Sequence, residues 1–281
     1  MARRMPTKLR LGVLAVSVLH DLDVLPTTRG VALPGTPDVY LSWRECREAI
    51  AGADPETPEG HARLAEWLLT RRWAASLSRE ELLLRLRPVG LPVGHVLCPG
   101  PGWVQEKVRG GALELGLGAV DLDPADPDRV VMLPPPVLTF AGIDTSLAWL
   151  AARTMLEELG TLASLRVRTC PMGLLRPLGD CDAVTLLGAR SLRTALANAA
   201  GGMGTAVVPM RRRGWTKLAM IDPAFGPAAA AATRPEDRGF ARPLLTTADE
   251  LTLVAQGGRP ERLALLDPAA TDPRPRDVLY R

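Results

Sequence analysis

The spacing of apolar residues changes along the chain, and each spacing predicts a different kind of element. Between residues 43 and 87 apolar positions recur at helical spacing, which predicts three short helices. Two Ser-x-x-Glu sequences, beginning at Ser42 and Ser78, have capping-box spacing, and Thr57-Pro58 supplies a third helix start. The N-terminal part is therefore expected to be mainly helical.

Strand spacing begins farther along the chain. A brief helix is predicted over residues 103–109, and leucines at positions 113, 115 and 117 then alternate with a glutamate and two glycines. That alternation predicts a strand with one buried face. Residues 130–133 are predicted to form a second short strand.

The most convincing helical pattern follows Asp144, which is placed to cap a helix over residues 145–159. Gly160 comes directly after this pattern. We expect it either to end the helix or to interrupt it before Leu165.

Residues 180–215 are the stretch around which the C-terminal part is organised. Their pattern predicts a strand after Asp180, a loop at Gly188, a helix, a glycine-rich turn and a second strand. Three arginines and a tryptophan close the stretch. Beyond it we predict, in order, a helix, two strands and a returning hairpin strand, at residues 228–232, 244–247, 251–255 and 262–266.

These elements predict an α/β or α+β fold, with a helical N-terminal part followed by a mixed sheet with flanking helices and a C-terminal β-hairpin. The stretch 88–102 is dense in proline and glycine, so it is interpreted as a linker or loop. The predicted organisation is a mainly helical region at 1–87, this linker, an α/β core at 103–266 and a proline-rich tail at 267–281.

The composition is that of a folded protein, because 47% of the 281 residues are hydrophobic and 23% are charged. The formal net charge is only +3, so no strong basic field requires nucleic-acid binding. The cysteines are scattered and none forms a Cys-x-x-Cys pair, which favours a reduced, cytoplasmic setting. They are Cys46, Cys98, Cys170 and Cys181.

The N-terminus has two interpretations. Arg3, Arg4, Lys8 and Arg10 precede the apolar run 11–19, an order that also occurs in export signals. However, no Ala-x-Ala cleavage sequence follows, and the run is too short to span a bilayer. We favour a first core element of the domain over an export signal, and we expect no membrane association.

The first candidate site is the loop Gly188-Ala189-Arg190-Ser191 at a predicted helix start. Free backbone N–H groups and the helix dipole make such a position receptive to anions. Ser191 could cap the helix, and Arg190 could reach a phosphate or a carboxylate. The sequence lacks the three glycines of a dinucleotide fingerprint and the Gly-Lys-Ser of a P-loop, so an ordinary strand-to-helix turn is the favoured interpretation.

The second candidate is the run Arg211-Arg212-Arg213 with Trp215, which is the densest positive charge in the chain. Arginines beside a tryptophan could hold a phosphate backbone and stack a base. They could also bind an acidic protein surface or form salt bridges with Asp222, Glu236 and Asp237. A solvated strand end that discourages edge pairing is the favoured interpretation.

Other chemistry receives little support from the sequence. His95 and Cys98 are a close pair of metal-ligand types, but zinc needs three or four protein ligands. No Gly-x-Ser-x-Gly sequence occurs, and Asp180 and Asp182 disfavour a thiolate at Cys181 between them. The two aspartates could act as acid and base, although capping or turn roles are favoured. The sequence identifies no metal site and no cofactor.

The leading hypothesis is a non-catalytic binding protein whose basic surface takes a small anionic ligand or an acidic protein partner. That surface combines Arg190, Arg211, Arg212, Arg213 and Trp215. The alternative is a small-molecule enzyme with its site at residues 180–191, favoured if an aspartate and an arginine converge in a closed pocket. Nucleic-acid binding is a third, less favoured alternative that predicts steep salt dependence. The sequence leaves the oligomeric state open.

Overall fold

The computed structural model describes residues 7–35, 37–170, 173–217 and 224–254. These ranges contain nine α-helices: α1 Thr7–Leu19, α2 Trp43–Ala49, α3 Pro58–Ala75, α4 Arg79–Arg85, α5 Pro135–Phe140, α6 Thr145–Thr169, α7 Ala183–Leu186, α8 Arg190–Ala199 and α9 Phe225–Ala232. They also contain twelve strands: β1 Leu25–Pro26, β2 Gly30–Leu33, β3 Val39–Ser42, β4 Leu86–Pro92, β5 Glu106–Lys107, β6 Leu113–Ala119, β7 Val131–Met132, β8 Leu174–Leu175, β9 Gly204–Met210, β10 Arg213–Trp215, β11 Leu244–Thr246 and β12 Leu251–Leu253.

The described strands form three sheets. Their orders are β1-β2-β3, then β4-β6-β5 with β7 paired to β6, and β12-β11-β9-β10-β8. The strand pairs with a defined register are antiparallel. The fold is therefore mixed α+β with an N-terminal helical part, which confirms the fold class predicted from the sequence. The predicted return strand at 262–266 lies outside the described residues.

The chain divides into two compact units, each assembled from three stretches. The first unit consists of Met1–Val89, Val96–Glu106 and Leu115–Thr154, and the second consists of Gly90–His95, Lys107–Glu114 and Met155–Arg281. The boundaries predicted at residues 87, 102 and 266 stay predictions. Part of the stretch interpreted as a linker is strand β4.

The helix starts of the first unit follow their local chemistry. The Ser42 hydroxyl accepts from the Glu45 N–H while the Glu45 carboxylate accepts from the Ser42 N–H, and Ser78 and Glu81 repeat this capping box. Thr57 caps α3, whose first residue is a proline. Helix α1 contributes three buried side chains to the core of this unit, as favoured from the sequence: Leu9, Val13 and Val16.

Two predictions between residues 103 and 119 are wrong. The predicted helix at 103–109 is a single 3₁₀ turn at Pro101–Trp103 followed by strand β5. Strand β6 is buried on both faces rather than on one. On the second face, Gly116 lets the Trp103 ring pack closely, because a Cβ atom there would overlap that ring. The buried Glu114 on the same face pairs with Lys107 at 2.8 Å.

The second unit is built around the five-stranded sheet. Its central strand β9 pairs with β10 and β11, and helices α8 and α9 pack against it. Apolar side chains from strands and helices fill the space between them, among them Leu192, Ala206, Val208 and Leu244. The unit therefore has its own hydrophobic core.

The first element of the 180–215 stretch is a helix, so the predicted strand there is wrong. Residues 183–189 are all buried, and a short apolar run buried on every side has no period that separates strand from helix. A local hydrogen bond favours the helix, because the Asp182 side chain accepts from the Thr185 N–H at 2.7 Å and caps α7.

None of the helices in the described ranges combines the length and the apolar character that crossing a bilayer requires.

Candidate functional site

The start of helix α8 already holds a carboxylate of the protein. Glu157, on α6, accepts from the backbone N–H of Arg190 and from that of Ser191, each at 2.9 Å. The sequence predicted an anion site at this position. An internal side chain fills it, because the free N–H groups and the helix dipole stabilise any nearby carboxylate.

Ser191 does not cap α8, which corrects the role expected for it. The N-cap position is Ala189, whose side chain makes no capping hydrogen bond. The Ser191 hydroxyl instead donates to the Glu157 carbonyl at 2.9 Å. The Gly188 carbonyl accepts from the buried guanidinium of Arg193 at 2.7 Å. Gly188 and Ser191 are therefore bound into the structure of the unit.

Gly160 allows α6 to pack closely against the start of α8. The helix neither ends nor breaks at Gly160, contrary to both alternatives drawn from the sequence, and continues to Thr169. A Cβ atom at this position would overlap Ala189 and would lie 2.6 Å from the Ser191 hydroxyl oxygen. The glycine thus serves close helix packing rather than chain termination.

The side chain of Arg190 forms an ion pair with Asp249 at 2.9 Å. Both side chains are more than half exposed, at 63% and 55%. An exposed pair of this kind contributes at most about 1 kcal/mol. Arg190 is thus accessible, but a carboxylate of the same unit already competes for it.

Arg211 is a structural residue. Its Nε and Nη2 atoms donate to one carboxylate oxygen of Asp182 at 2.8 and 2.7 Å, and both side chains are 13% exposed. The other oxygen of Asp182 caps α7. The Arg211 carbonyl accepts from the Val184 N–H at 3.2 Å, so the residue joins α7 to the end of β9. A buried pair with both partners bonded is costly to break from one side.

His95, considered from the sequence only as a metal ligand with Cys98, belongs to the same cluster. Its ring is buried, and its Nε2 atom lies 3.1 Å from the carbonyl oxygen of Arg238, to which it donates in the neutral form. Burial lowers the pKa of His95 to about 4, and the positive charge of Arg211 lowers it as well. The imidazole is consequently neutral at physiological pH.

Arg212 and Arg213 are the exposed members of the arginine run. Residues 211 and 212 form the tight turn between β9 and β10, and Arg213 begins β10 opposite Met210. Among the described residues neither Arg212 nor Arg213 has an ion pair, and Glu236 and Asp237, expected as partners, form none with them. Asp222, the third expected partner, lies outside those residues.

Strand pairing adds a third arginine to this turn. Strand β8 pairs with β10 through Leu175 and Gly214. Arg176 directly follows β8, and Arg213 is the next residue of β10 in the same register, so the two arginines come next to each other at this end of the strand pair. Arg176 is exposed and likewise has no ion pair within the described part of the chain. We call Arg176, Arg212 and Arg213 the arginine surface.

Trp215 packs against Phe225. The two ring centroids are 5.1 Å apart and the rings meet edge to face at 84°. Trp215 is half-buried, so part of its ring is already used within the unit. This contact packs the end of β10, beside the arginine surface, against α9.

The residues proposed from the sequence fall into two groups. Arg190 reaches Asp249 in the turn after Thr246, and Thr246 pairs with Gly204 at the start of β9. The turn formed by residues 211 and 212 follows Met210 at the other end of β9. A seven-residue strand is about 20 Å long, so the two groups do not form one surface.

Sequence reasoning missed Glu157 and Arg176. Glu157 lies 33 residues before its partner Arg190, inside a helix whose local pattern indicates only an amphipathic segment. Arg176 is an isolated charge between a leucine and a proline. Its relation to Arg213 depends on strand register, which the local sequence does not encode.

Within the described ranges no group of three or more His, Cys, Asp and Glu side chains could hold a metal ion. His95 and Cys98 gain no further ligand there. Comparison with protein-family models gave no match, and neither the curated proteins nor the solved structures contain a significant match to this chain.

Proposed function

We propose that this protein is a non-catalytic, cytoplasmic binding protein that takes an acidic protein partner on the arginine surface, Arg176, Arg212 and Arg213. One observation supports this most directly: three exposed arginines lie at one turn and at the strand ends beside it, and none has a carboxylate partner in the described residues. Like charges opposite each other on neighbouring strands destabilise a sheet. An acidic ligand would remove that repulsion.

The charge arrangement favours an extended acidic partner over a single small anion. The arginines are exposed on a tight turn and a neighbouring strand, so water screens each of their ion pairs. An exposed pair contributes about 0.2–1 kcal/mol, and several must act together to give useful affinity. A chain of glutamates or aspartates can engage three arginines at once. We therefore expect moderate affinity that falls with salt.

The enzyme alternative has a specific observation in its favour and one against it. Asp182 and Arg211 converge within hydrogen-bond distance beside buried His95, as a catalytic cluster would. However, one oxygen of Asp182 caps α7 and the other accepts from Arg211. Those bonds account for the cluster as a structural link, which supports the binding proposal.

The nucleic-acid alternative needs an aromatic ring that can stack on a base. Trp215 already packs against Phe225. The partner proposal uses only arginine charge and does not need that ring.

Fluorescence anisotropy with a labelled poly-glutamate peptide tests the proposal. We expect the wild-type protein to bind the peptide, and Arg212→Glu/Arg213→Glu to weaken binding about tenfold or more, because attraction becomes repulsion. Arg47→Glu/Arg79→Glu is the matched control, since both residues are exposed, lie in the first unit and change the net charge equally. Circular dichroism should show all three proteins folded.

Three outcomes would reject the proposal. The first is no peptide binding by the wild type. The second is an equal loss in the control variant, which would indicate a general charge effect. The third is stronger binding of inorganic pyrophosphate or of a single-stranded oligonucleotide than of the peptide at equal salt, which would favour a small anion or a nucleic acid.

A further inference from the structure

Helix α3 carries three buried side chains with hydrogen-bond donors that no described residue accepts. Trp67, Thr70 and Arg71 are 7, 1 and 6% exposed. Their unpartnered atoms are the indole Nε1, the hydroxyl Oγ1 and the guanidinium Nε, respectively. Positions i, i+3 and i+4 lie on the same side of a helix. We call these three side chains the donor cluster. Because buried polar groups are nearly always hydrogen-bonded, three exceptions on one helix face require an explanation.

Arg71 is the most unusual member of the donor cluster because it is charged. A guanidinium has five N–H groups, and the one hydrogen bond of Arg71 to a described residue runs from Nη1 to the Pro136 carbonyl, at 2.8 Å. Glu45 attracts Arg71 from a distance, but the Glu45 carboxylate accepts from the Ser42 N–H and hydroxyl. Within the described part of the chain, no carboxylate therefore forms an ion pair with this buried charge.

The unused donors of Arg71 lie along one edge of the guanidinium. Nε and Nη2 share that edge, and neither donates to a described residue. An edge of this kind matches the two oxygens of a carboxylate, which accept parallel hydrogen bonds from it. Arg211 uses the same two atoms to hold Asp182, at 2.8 and 2.7 Å. Arg71 thus presents the edge that suits a carboxylate where the described chain supplies none.

Two aromatic rings lie against the guanidinium of Arg71. Its Cζ atom is 5.7 Å from the centroid of the Trp67 ring and 5.1 Å from that of the Phe140 ring, and lies over each ring. Such contacts stabilise the positive charge, but a ring offers no lone pair to the free N–H groups. Phe140 is 51% exposed at the end of α5. The buried cluster therefore comes close to solvent beside this ring.

We propose that the donor cluster, together with Phe140, binds the carboxylate of a small organic monoanion. The Nε and Nη2 atoms of Arg71 donate to the carboxylate, the Trp67 indole and the Thr70 hydroxyl supply further donors, and the apolar part of the ligand lies against Phe140. A carboxylate accepts several hydrogen bonds at once, so one ligand satisfies donors that have no other acceptor. The site lies wholly in the first unit and does not depend on the function proposed above.

The charges favour a carboxylate over a phosphate. The donor cluster carries one positive charge, which a monoanion neutralises. A phosphate dianion would leave one negative charge in a buried place. Glu45, which attracts Arg71, would also repel a dianion more strongly than a monoanion.

NMR titration with benzoate tests this site. We expect the Nε–Hε signal of Arg71 and the indole N–H signal of Trp67 to shift together and saturate, because both groups gain an acceptor. Arg71→Lys and Trp67→Phe assign the two signals. Benzamide has the same ring and no charge, so it should bind at least about tenfold more weakly than benzoate.

Arg71→Lys should weaken benzoate binding at least about tenfold, since an ammonium lacks the planar edge. Arg72→Lys is the matched control, because it makes the same change at the next residue of α3, and should bind as the wild type does. Circular dichroism checks that each variant folds. If Arg71→Lys does not fold, Trp67→Phe replaces it, since phenylalanine keeps a ring but loses the N–H donor and should also weaken binding.

Thr70→Val gives a readout that a purely structural role would not produce. Valine has the same shape without the hydroxyl, so it removes an unpartnered buried polar group and should raise the melting temperature of the ligand-free protein. The same variant should weaken benzoate binding about threefold or more, because one donor to the ligand is lost. Unchanged binding would contradict the place of Thr70 in the site.

The proposal would be overturned by any of three results. The first is that benzoate shifts neither signal at millimolar concentration. The second is that benzamide binds as tightly as benzoate, or that folded Arg71→Lys binds benzoate as the wild type does. The third is tighter binding of inorganic phosphate than of benzoate at equal ionic strength, which would contradict the carboxylate assignment.

Discussion

Glu157 occupies the position at the start of α8 that a bound anion would otherwise fill. Its carboxylate accepts two backbone N–H groups at 2.9 Å. We expect Glu157→Gln to lower the free energy of unfolding by about 1–2 kcal/mol, because one acceptor and the negative charge are lost. Chemical denaturation in dilute solution measures this change.

Glu158→Gln is the matched control, since Glu158 is exposed and the next residue of the same helix. A loss of stability in both variants alike would contradict the capping role of Glu157. A second readout is available with Glu157→Ala, which opens the anion position. Sulfate should then raise the melting temperature of this variant more than that of the wild type at equal ionic strength.

His95 makes stability depend on pH. Its pKa is about 4 in the folded protein and near the ordinary 6.5 when unfolded, mainly because the ring is buried. The folded state therefore binds fewer protons than the unfolded state. The stabilisation contributed by neutral His95 is fully present above pH 6.5 and is lost as pH falls toward 4. From about pH 7 to about pH 5 we expect a loss of about 2 kcal/mol from this residue.

His95→Gln isolates this contribution, because the glutamine amide can still donate to the Arg238 carbonyl. Denaturation at several pH values should show a smaller decline for the variant than for the wild type. Parallel curves for the two proteins would contradict the role assigned to His95.

At the scale of elements, Gly160 determines how closely α6 packs on α8. Alanine normally stabilises a helix by about 1 kcal/mol relative to glycine. At this position its Cβ atom would overlap Ala189 and lie 2.6 Å from the Ser191 hydroxyl oxygen. We expect Gly160→Ala to lower the free energy of unfolding by about 1–2 kcal/mol despite the gain in propensity.

The double variant Gly160→Ala/Ala189→Gly relieves the largest overlap and should recover part of the lost stability. Thermal or chemical unfolding measures both variants. A stabilised single variant would contradict the close packing of the two helices.

The elements that the sequence predicted well are those with local chemistry. The capping boxes at Ser42 and Ser78 and the Asp144 cap all mark real helix starts, since each needs only neighbouring residues. Strand β6 was found, but its buried second face was not, because that depends on Trp103 and Lys107 reaching it. Helix α7 was missed because burial on all sides removes any period.

At the scale of the whole molecule, the fold class followed from the order of elements, whereas the candidate site did not. The sequence joined Arg190 and Arg211 to one surface, but each has an internal partner, Asp249 and Asp182. The arginine surface follows from the pairing of β8 with β10, since Arg176 directly follows β8 and Arg213 is next in the register of β10. Strand register is a property of the folded sheet, so local patterns could not reveal this.

Binding at the arginine surface can be followed in the two-dimensional NMR spectrum of the arginine Nε–Hε groups while the poly-glutamate peptide is added. Because this signal reports each guanidinium separately, variants can assign it to Arg176, Arg212 and Arg213. If the partner binds the arginine surface, these three signals shift together and saturate, while the signal of Arg211, bound to Asp182, stays in place. Shifts confined to other arginines, or no shifts at all, would contradict binding there.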